Sequence, residues 1–229
     1  MKRQLWLAAL LVLGIAVGPA KSLFAGTTAT MTFVSFSGIY DPEEPRVPVG
    51  PYNLTLNGSP VQLVCDDFVD NPSKQPWTVN VLSLSNLSGA DFTTGTDPAL
   101  TQLQDYQAVA YLSQNMLQYL GQKNDEEVAD IQFALWAIFS QQAMGAKGFQ
   151  NDAGGDALAW YNQATSMAAA GDFNGQFGNF VVYSPVSVDG TQNYTQEFVG
   201  FTGTPEPASL LLLGTGLLGL ASFRRWRTA

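Results

Sequence analysis

Cys65 has the most reactive side chain in this sequence. It is the single cysteine among 229 residues, so no internal disulfide can form. The two ends of the chain, described below, indicate an exported protein. In an exported protein an unpaired cysteine is typically a reactive thiol, one half of an intermolecular disulfide, or an inert buried side chain. All three alternatives stay open at this point.

Gln132 is the second residue with an unusual placement. Apolar residues recur around it at helical spacings of three and four, so this polar side chain falls within an apolar stripe. An amide that faces a protein core must be hydrogen-bonded or chemically altered, because leaving it unpaired costs about 1 to 3 kcal/mol. We therefore predict that Gln132 has a specific partner.

The segments around both residues resemble those of bacterial thioester domains, the surface-adhesin modules in which a cysteine side chain is joined to a glutamine side chain. Residues 131–136, IQFALW, are similar to the glutamine motif of that family, and residues 64–67, VCDD, to its cysteine segment. The resemblance covers roughly residues 52–202. It implies that Cys65 supplies the sulfur and Gln132 the acyl carbon of a thioester, which a surface amine or hydroxyl attacks.

The composition excludes many enzyme classes. Histidine is absent, which removes serine and cysteine nucleophiles paired with histidine, and any histidine-containing zinc site. A secreted glycosidase would need two converging carboxylates, and nothing in the spacing supports such a pair. We predict a non-enzymatic protein without a cofactor.

Acidic side chains cluster at residues 66–70, 125–130 and 151–156. Carboxylate oxygens are the ligands that calcium prefers, but the first two clusters lack the spacing of a calcium loop and the third is most simply a turn with a helix cap. No metal site is predicted. A calcium-dependent carbohydrate-binding module is the alternative function, with a secreted hydrolase behind it. Trp77, Trp136 and Trp160 could stack on sugars, but their apolar patterns predict core positions.

The charge balance argues against nucleic acid as a partner. The chain has 19 acidic residues against 10 basic ones, and only four of the basic residues lie between Gly26 and Thr204. Such a domain is repelled by a phosphate backbone.

Local patterns predict strands and then helices and then strands again, which indicates a single α+β domain with a mainly antiparallel sheet and an inserted block of about three helices. The hairpin turns at Asn57-Gly58, and the last two strands are joined at Asp189-Gly190. The predicted strands cover residues 30–39, a hairpin over 52–65, 77–87, 180–188 and 194–202, and the predicted helices cover residues 100–120, 124–143 and 155–170.

The first 25 residues have the pattern of a secretory signal peptide. A basic start at Lys2 and Arg3 is followed by an uncharged apolar run over residues 5–17 and then by small residues. Cleavage by signal peptidase fits after Ala20 or Ala25. Domain 26–203 is therefore expected to be exported.

The last 26 residues resemble a PEP-CTERM sorting signal. Pro205, Glu206 and Pro207 precede an apolar segment over residues 208–223, and an arginine cluster of Arg224, Arg225 and Arg227 follows. Sixteen residues make a helix of about 24 Å, shorter than the roughly 30 Å hydrocarbon core of a bilayer. The resemblance implies that an exosortase-type membrane protease cleaves near the Pro-Glu-Pro triplet, after transient inner-membrane anchoring through residues 208–223.

Together these features predict an exported protein of the cell surface or the exopolysaccharide matrix, organised as signal peptide 1–25, α+β domain 26–203 and sorting signal 204–229. The more specific prediction is an adhesin that uses a Cys65–Gln132 thioester to attach to a polysaccharide or to a surface amine or hydroxyl. Its other expected partners are signal peptidase, an exosortase and, transiently, the membrane.

Overall fold

The computed structural model describes residues 27–42, 44–150, 156–186 and 195–202. The predicted signal peptide, the sorting tail and the Asp189-Gly190 turn lie outside these residues. Within the described ranges, no helix combines the length and the apolar character that crossing a membrane requires.

Eight strands are present in the described residues: β1 Thr27–Ser35, β2 Ile39–Tyr40, β3 Pro48–Val49, β4 Tyr52–Leu56, β5 Ser59–Cys65, β6 Trp77–Ser83, β7 Phe180–Pro185 and β8 Phe198–Phe201. Six of them close into an antiparallel barrel in the order β1-β4-β5-β8-β7-β6, while β2 and β3 form a separate two-stranded ribbon. Closure leaves the barrel without a free sheet edge. The predicted mixture of helices and antiparallel strands in one domain is confirmed.

The helices lie between β6 and β7 in the chain: α1 Gln102–Gln122, α2 Asp125–Phe139, α3 Gln141–Met144, α4 Lys147–Gln150 and α5 Asp156–Ala170. Thr101 caps α1 by a reciprocal capping box with Gln104, and the Asn124 side chain accepts from the backbone N–H of Glu127 at the start of α2. The three long helices match the three that were predicted. The two additional helices are single turns.

Several element ends differ from the predicted ones: the last strand starts at Phe198 instead of residue 194, the strand before it ends at Pro185 instead of residue 188, and the first strand starts at Thr27 instead of residue 30. Helix α2 ends at Phe139 because Ser140 is extended, with φ −126° and ψ 112°, and its hydroxyl caps α3 by accepting from Ala143 N. Strand β1 ends at Ser35 after a register shift against β4, and β6 ends at Ser83 where a turn back to Asn86 begins.

The barrel wall separates two cores. Cys65 and Phe198 face each other across β5 and β8 and pack inside the barrel with Met31, Tyr52 and Trp77. The preceding pair, Val64 and Val199, points to the opposite face and packs against the helices. Helix α2 is buried from Val128 to Ile138, because α1, α5 and the β2–β3 ribbon pack against it and Gln132 reaches the barrel at Cys65. Trp77 and Trp136 are buried as predicted, whereas Trp160 is half-buried.

Gly148 gives a stability prediction for this packing. A Cβ at this position would overlap the ring of Phe133, which is fully buried on α2. We expect Gly148→Ala to lower the free energy of unfolding by about 1–3 kcal/mol, measured by chemical denaturation. Gly145→Ala is the matched control, since its Cβ would make only ordinary contacts of 3.5 Å or more. Equal stabilities of the two variants would contradict the overlap.

Candidate functional site

Cys65 is the last residue of β5 and has no exposed surface. Its Sγ donates a hydrogen bond to the carbonyl oxygen of Asp67 at 3.0 Å, which the chain reaches by turning back directly after the strand. The thiol is therefore held at the end of the barrel that α2 covers.

Gln132 lies on the face of α2 that meets this end of the barrel. It is fully buried, and its Nε2 donates to the carbonyl oxygen of Cys65 at 2.9 Å. Its Oε1 has no hydrogen-bond partner among the described residues. The structure thus brings together the two residues that the sequence singled out, 67 positions apart. A covalent bond between them stays a prediction.

The surroundings of Cys65 hold its side chain in the neutral form. Burial raises the pKa of the thiol well above its ordinary value, and the nearby acidic side chains of Asp67 and Asp66 raise the pKa further. The Asp67 hydrogen bond and the Trp136 indole act in the opposite direction. Trp136 Nε1 has no hydrogen-bond partner among the described residues, so we regard the indole as a neighbour of the sulfur and not as a bonded donor. Any reaction of Cys65 must therefore begin from the thiol.

Two carboxyl groups that the sequence did not single out as a pair meet behind Cys65. Because Cys65 lies opposite Phe198 in antiparallel strands, the next residues along this register are Asp66 and Glu197. Neither side chain has any exposed surface. Glu197 accepts from the Tyr106 hydroxyl at 2.5 Å and from Asp91 N at 2.9 Å, which ties the barrel to α1.

The carboxyl groups of Asp66 and Glu197 are neighbours, and both have a raised pKa. Burial is the main cause that raises the pKa of each carboxyl group, and the charge of Glu197 raises the pKa of Asp66 further. Neither carboxyl oxygen of Asp66 has a hydrogen-bond partner among the described residues, and the Glu197 carboxyl group is their neighbour. Two carboxylates in contact cannot both ionise cheaply, so we infer that Asp66 keeps a proton that it shares with Glu197.

Asp67 faces a cleft of about 510 Å³, which is also lined by Tyr52 and Trp136. Burial raises the pKa of the Asp67 carboxyl to about 6, although this carboxyl accepts from the backbone N–H groups of Val69 and Asp70. Asp67 and Trp136, which line this cleft, are also neighbours of the buried thiol.

Acidic residues that are close in the sequence do not form the same groups in the structure. Asp66 faces the interior while Asp67 faces the cleft, so the first cluster is divided. Glu127 and Asp130 lie with Asp156 of α5, with ligand atoms within 4.8 Å of one another, and Glu127 also accepts from Trp160 Nε1 at 2.5 Å. Residues 151–155 lie outside the described part of the chain. Calcium-dependent carbohydrate binding stays the alternative function, and no metal site is predicted.

Sequence reasoning missed Glu197 and Tyr106. Tyr106 belongs to the apolar pattern that predicts the helix over residues 100–120, and a hydroxyl in such a pattern gives no signal of a partner. Glu197 directly precedes the apolar β8 segment Phe198–Phe201, and an acid at the start of such a strand is the one available hint that a buried partner exists.

Comparison with known proteins supports the assignment of the tail. Residues 204–225 match the family model of the PEP-CTERM protein-sorting motif. A search of curated proteins found no match to the chain. Among solved structures, the chain is similar to the N-terminal thioester domain of protein F2 like fibronectin-binding protein from Streptococcus pneumoniae, at 10% identity and a TM-score of 0.41, covering 74% of this chain and 91% of that one.

This structural neighbour belongs to the family that the cysteine and glutamine segments resemble, but a TM-score this low establishes neither a shared fold nor a shared site. The resemblance of the tail is confirmed by the family model. The chain therefore carries a PEP-CTERM sorting motif, which marks an exported surface protein that is a substrate of an exosortase.

Proposed function

We propose that this protein is an adhesin of the cell surface or exopolysaccharide matrix that attaches covalently through a Cys65–Gln132 thioester. The observation that carries the proposal is the buried hydrogen bond from Gln132 Nε2 to the Cys65 carbonyl oxygen, which brings the amide to the strand end that carries the thiol. Apolar residues surround Gln132 along α2, so packing alone does not explain a polar side chain at this position.

The chemistry needs no histidine and no cofactor. The Cys65 sulfur adds to the Gln132 side-chain carbonyl carbon, the amide C–N bond breaks, and ammonia leaves with the thiol proton. The resulting acyl group is stable because both residues are fully buried, which excludes water from the bond. When a surface amine or hydroxyl attacks, the C–S bond breaks and a proton returns to the sulfur.

In this proposal the two ends of the chain bring the domain to the cell surface. Signal peptide 1–25 directs export of domain 26–203, and segment 208–223 of sorting signal 204–229 holds the chain transiently at the inner membrane. Cleavage near Pro205 to Pro207 then releases the domain from the membrane.

The covalent function predicts attachment that survives denaturation. Cells that produce the native protein should keep a fraction of it bound to their polymer or surface fraction after boiling in detergent. Cys65→Ser and Gln132→Glu should release it completely, because the first removes the sulfur nucleophile and the second removes the amide leaving group. Immunoblots of pellet and supernatant measure this. Release of the native protein to the same extent as both variants would refute covalent attachment.

The sorting role predicts a processing defect when the triplet is changed. Replacing Pro205, Glu206 and Pro207 by alanine should leave the tail uncleaved and the protein in the membrane fraction. Mass spectrometry of the C-terminal peptide and cell fractionation measure both effects. Ser209→Ala, just beyond the triplet, is the control and should be processed normally. Normal processing of the triple variant would contradict recognition through this motif.

A further inference from the structure

The cleft of about 510 Å³ beside the candidate site is large enough for a small-molecule ligand. It lies between the β2–β3 ribbon, the loop that follows β5 and the C-terminal end of α2. Asp67 and Trp136 line it and also surround the Cys65 thiol, and Tyr52 lines it from the barrel. A group held in this cleft is therefore next to the wall that covers the thiol.

Aromatic and planar polar side chains share the wall of this cleft. Tyr40 is 48% exposed at its rim, and Phe68 packs against Trp136 with ring centroids 5.2 Å apart and the rings tilted by 60°. Arg46, Asp70 and Asn71 supply a guanidinium, a carboxylate and an amide. Aromatic faces pack against the C–H faces of sugar rings, while such polar groups bind hydroxyls by hydrogen bonds.

Gln196 adds an acceptor that lacks a partner. It lines the cleft, is 5% exposed, and its Nε2 donates to the carbonyl oxygen of Asp67 at 3.2 Å. Because that carbonyl can only accept, the orientation of the amide is fixed. Gln196 Oε1 has no hydrogen-bond partner within the described part of the chain. A buried acceptor without a partner is normally satisfied by a donor from water or a ligand.

The donors and acceptors of the cleft discriminate between ligand classes. The Asp70 carboxylate can only accept hydrogen bonds and the Arg46 guanidinium can only donate them, while Gln196 Oε1 is a buried acceptor without a partner among the described residues. An ammonium group only donates and a carboxylate only accepts. A hydroxyl does both, so a neutral ligand with several hydroxyls satisfies the whole set.

We propose that this cleft binds a neutral sugar unit of an extracellular polysaccharide and presents one of its hydroxyls to the Cys65–Gln132 site. Only the presentation rests on the proposed thioester, because the binding needs no bond to the protein. In the capture step the sugar oxygen attacks the acyl carbon, the C–O bond forms, the C–S bond breaks, and the hydroxyl proton passes to the Cys65 sulfur.

The test uses the exported, processed protein with Cys65→Ala, which cannot form a thioester. It is titrated with the methyl glycosides of glucose, galactose, mannose, rhamnose and N-acetylglucosamine, and with Nα-acetyl-lysine methylamide, and binding is followed by NMR chemical shifts. We expect saturable binding of at least one glycoside in the millimolar range. Tyr40→Ala and Arg46→Ala should each weaken it about tenfold, whereas Lys74→Ala and Leu103→Ala, exposed and outside the cleft, should not change it.

Three results would overturn the sugar site: no response to any of the five glycosides at roughly 50 mM, unchanged affinity in both cleft variants, or tighter binding of the lysine derivative at the same residues. Failure of the thioester itself leaves this measurement intact, since the tested variant lacks the sulfur. The two failures are therefore separable.

Discussion

The mature protein with native Cys65 and Gln132 is expected to have an intact mass lower by one ammonia than its sequence requires. Methylamine should add to it covalently, because a small amine attacks the thioester acyl carbon and opens the C–S bond. The expected effect is all-or-none in each molecule, and intact-mass spectrometry under denaturing conditions measures it directly. A thiol reagent should label Cys65 only after methylamine has reacted.

Two variants control this result. Cys65→Ala should show the full mass and take up no methylamine, and Gln132→Glu should show the full mass and a thiol that is labelled once the protein is unfolded. A full mass for the native protein, with a thiol that simply alkylates, would show that no thioester forms. A dimer that disappears on reduction would instead assign Cys65 to an intermolecular disulfide, the alternative that an exported single cysteine leaves open.

Local signals made part of the fold predictable. Asn57-Gly58 predicted the hairpin, and both residues have positive φ, 51° and 82°, as a tight two-residue turn requires. Apolar periodicity predicted the three long helices because α1, α2 and α5 bury one or more faces in the same core. No local signal indicates that Ser140 is extended. The predicted helix over residues 124–143 therefore missed the break between α2 and α3.

Barrel closure could not be predicted from such signals. It depends on the pairing of β5 with β8, in which Cys65 lies opposite Phe198 across a long stretch of chain that contains α1 to α5. No local pattern records a pairing at that separation, so the sequence supported an antiparallel sheet but not its closed form. The buried position of Glu197 could not be predicted for the same reason, because its partners Asp66 and Tyr106 are far from it in the sequence.

The buried carboxyl groups predict an unusual dependence of stability on pH. In the folded protein, burial raises the pKa of Asp66 and Glu197 above the ordinary range, and raises the pKa of Asp67 and of Asp105 to about 6 each. A group with a raised pKa binds its proton more tightly in the folded state than in the unfolded state. Its stabilising contribution is complete below the unfolded pKa of about 4 and is lost as pH rises through the folded pKa.

The free energy of unfolding is therefore expected to fall between about pH 4 and pH 7, by about 1–2 kcal/mol for Asp67 alone. Asp66→Asn should flatten this slope, because an asparagine amide donates to the Glu197 carboxylate at every pH and has no proton to lose. Asp172→Asn, an exposed acid on a surface turn, is the matched control and should leave the slope unchanged. Urea denaturation of the three proteins from pH 4 to pH 8 measures the effect. A native protein that is most stable at neutral pH would contradict the shared proton, since ionised and separately paired carboxylates give a slope of the opposite sign.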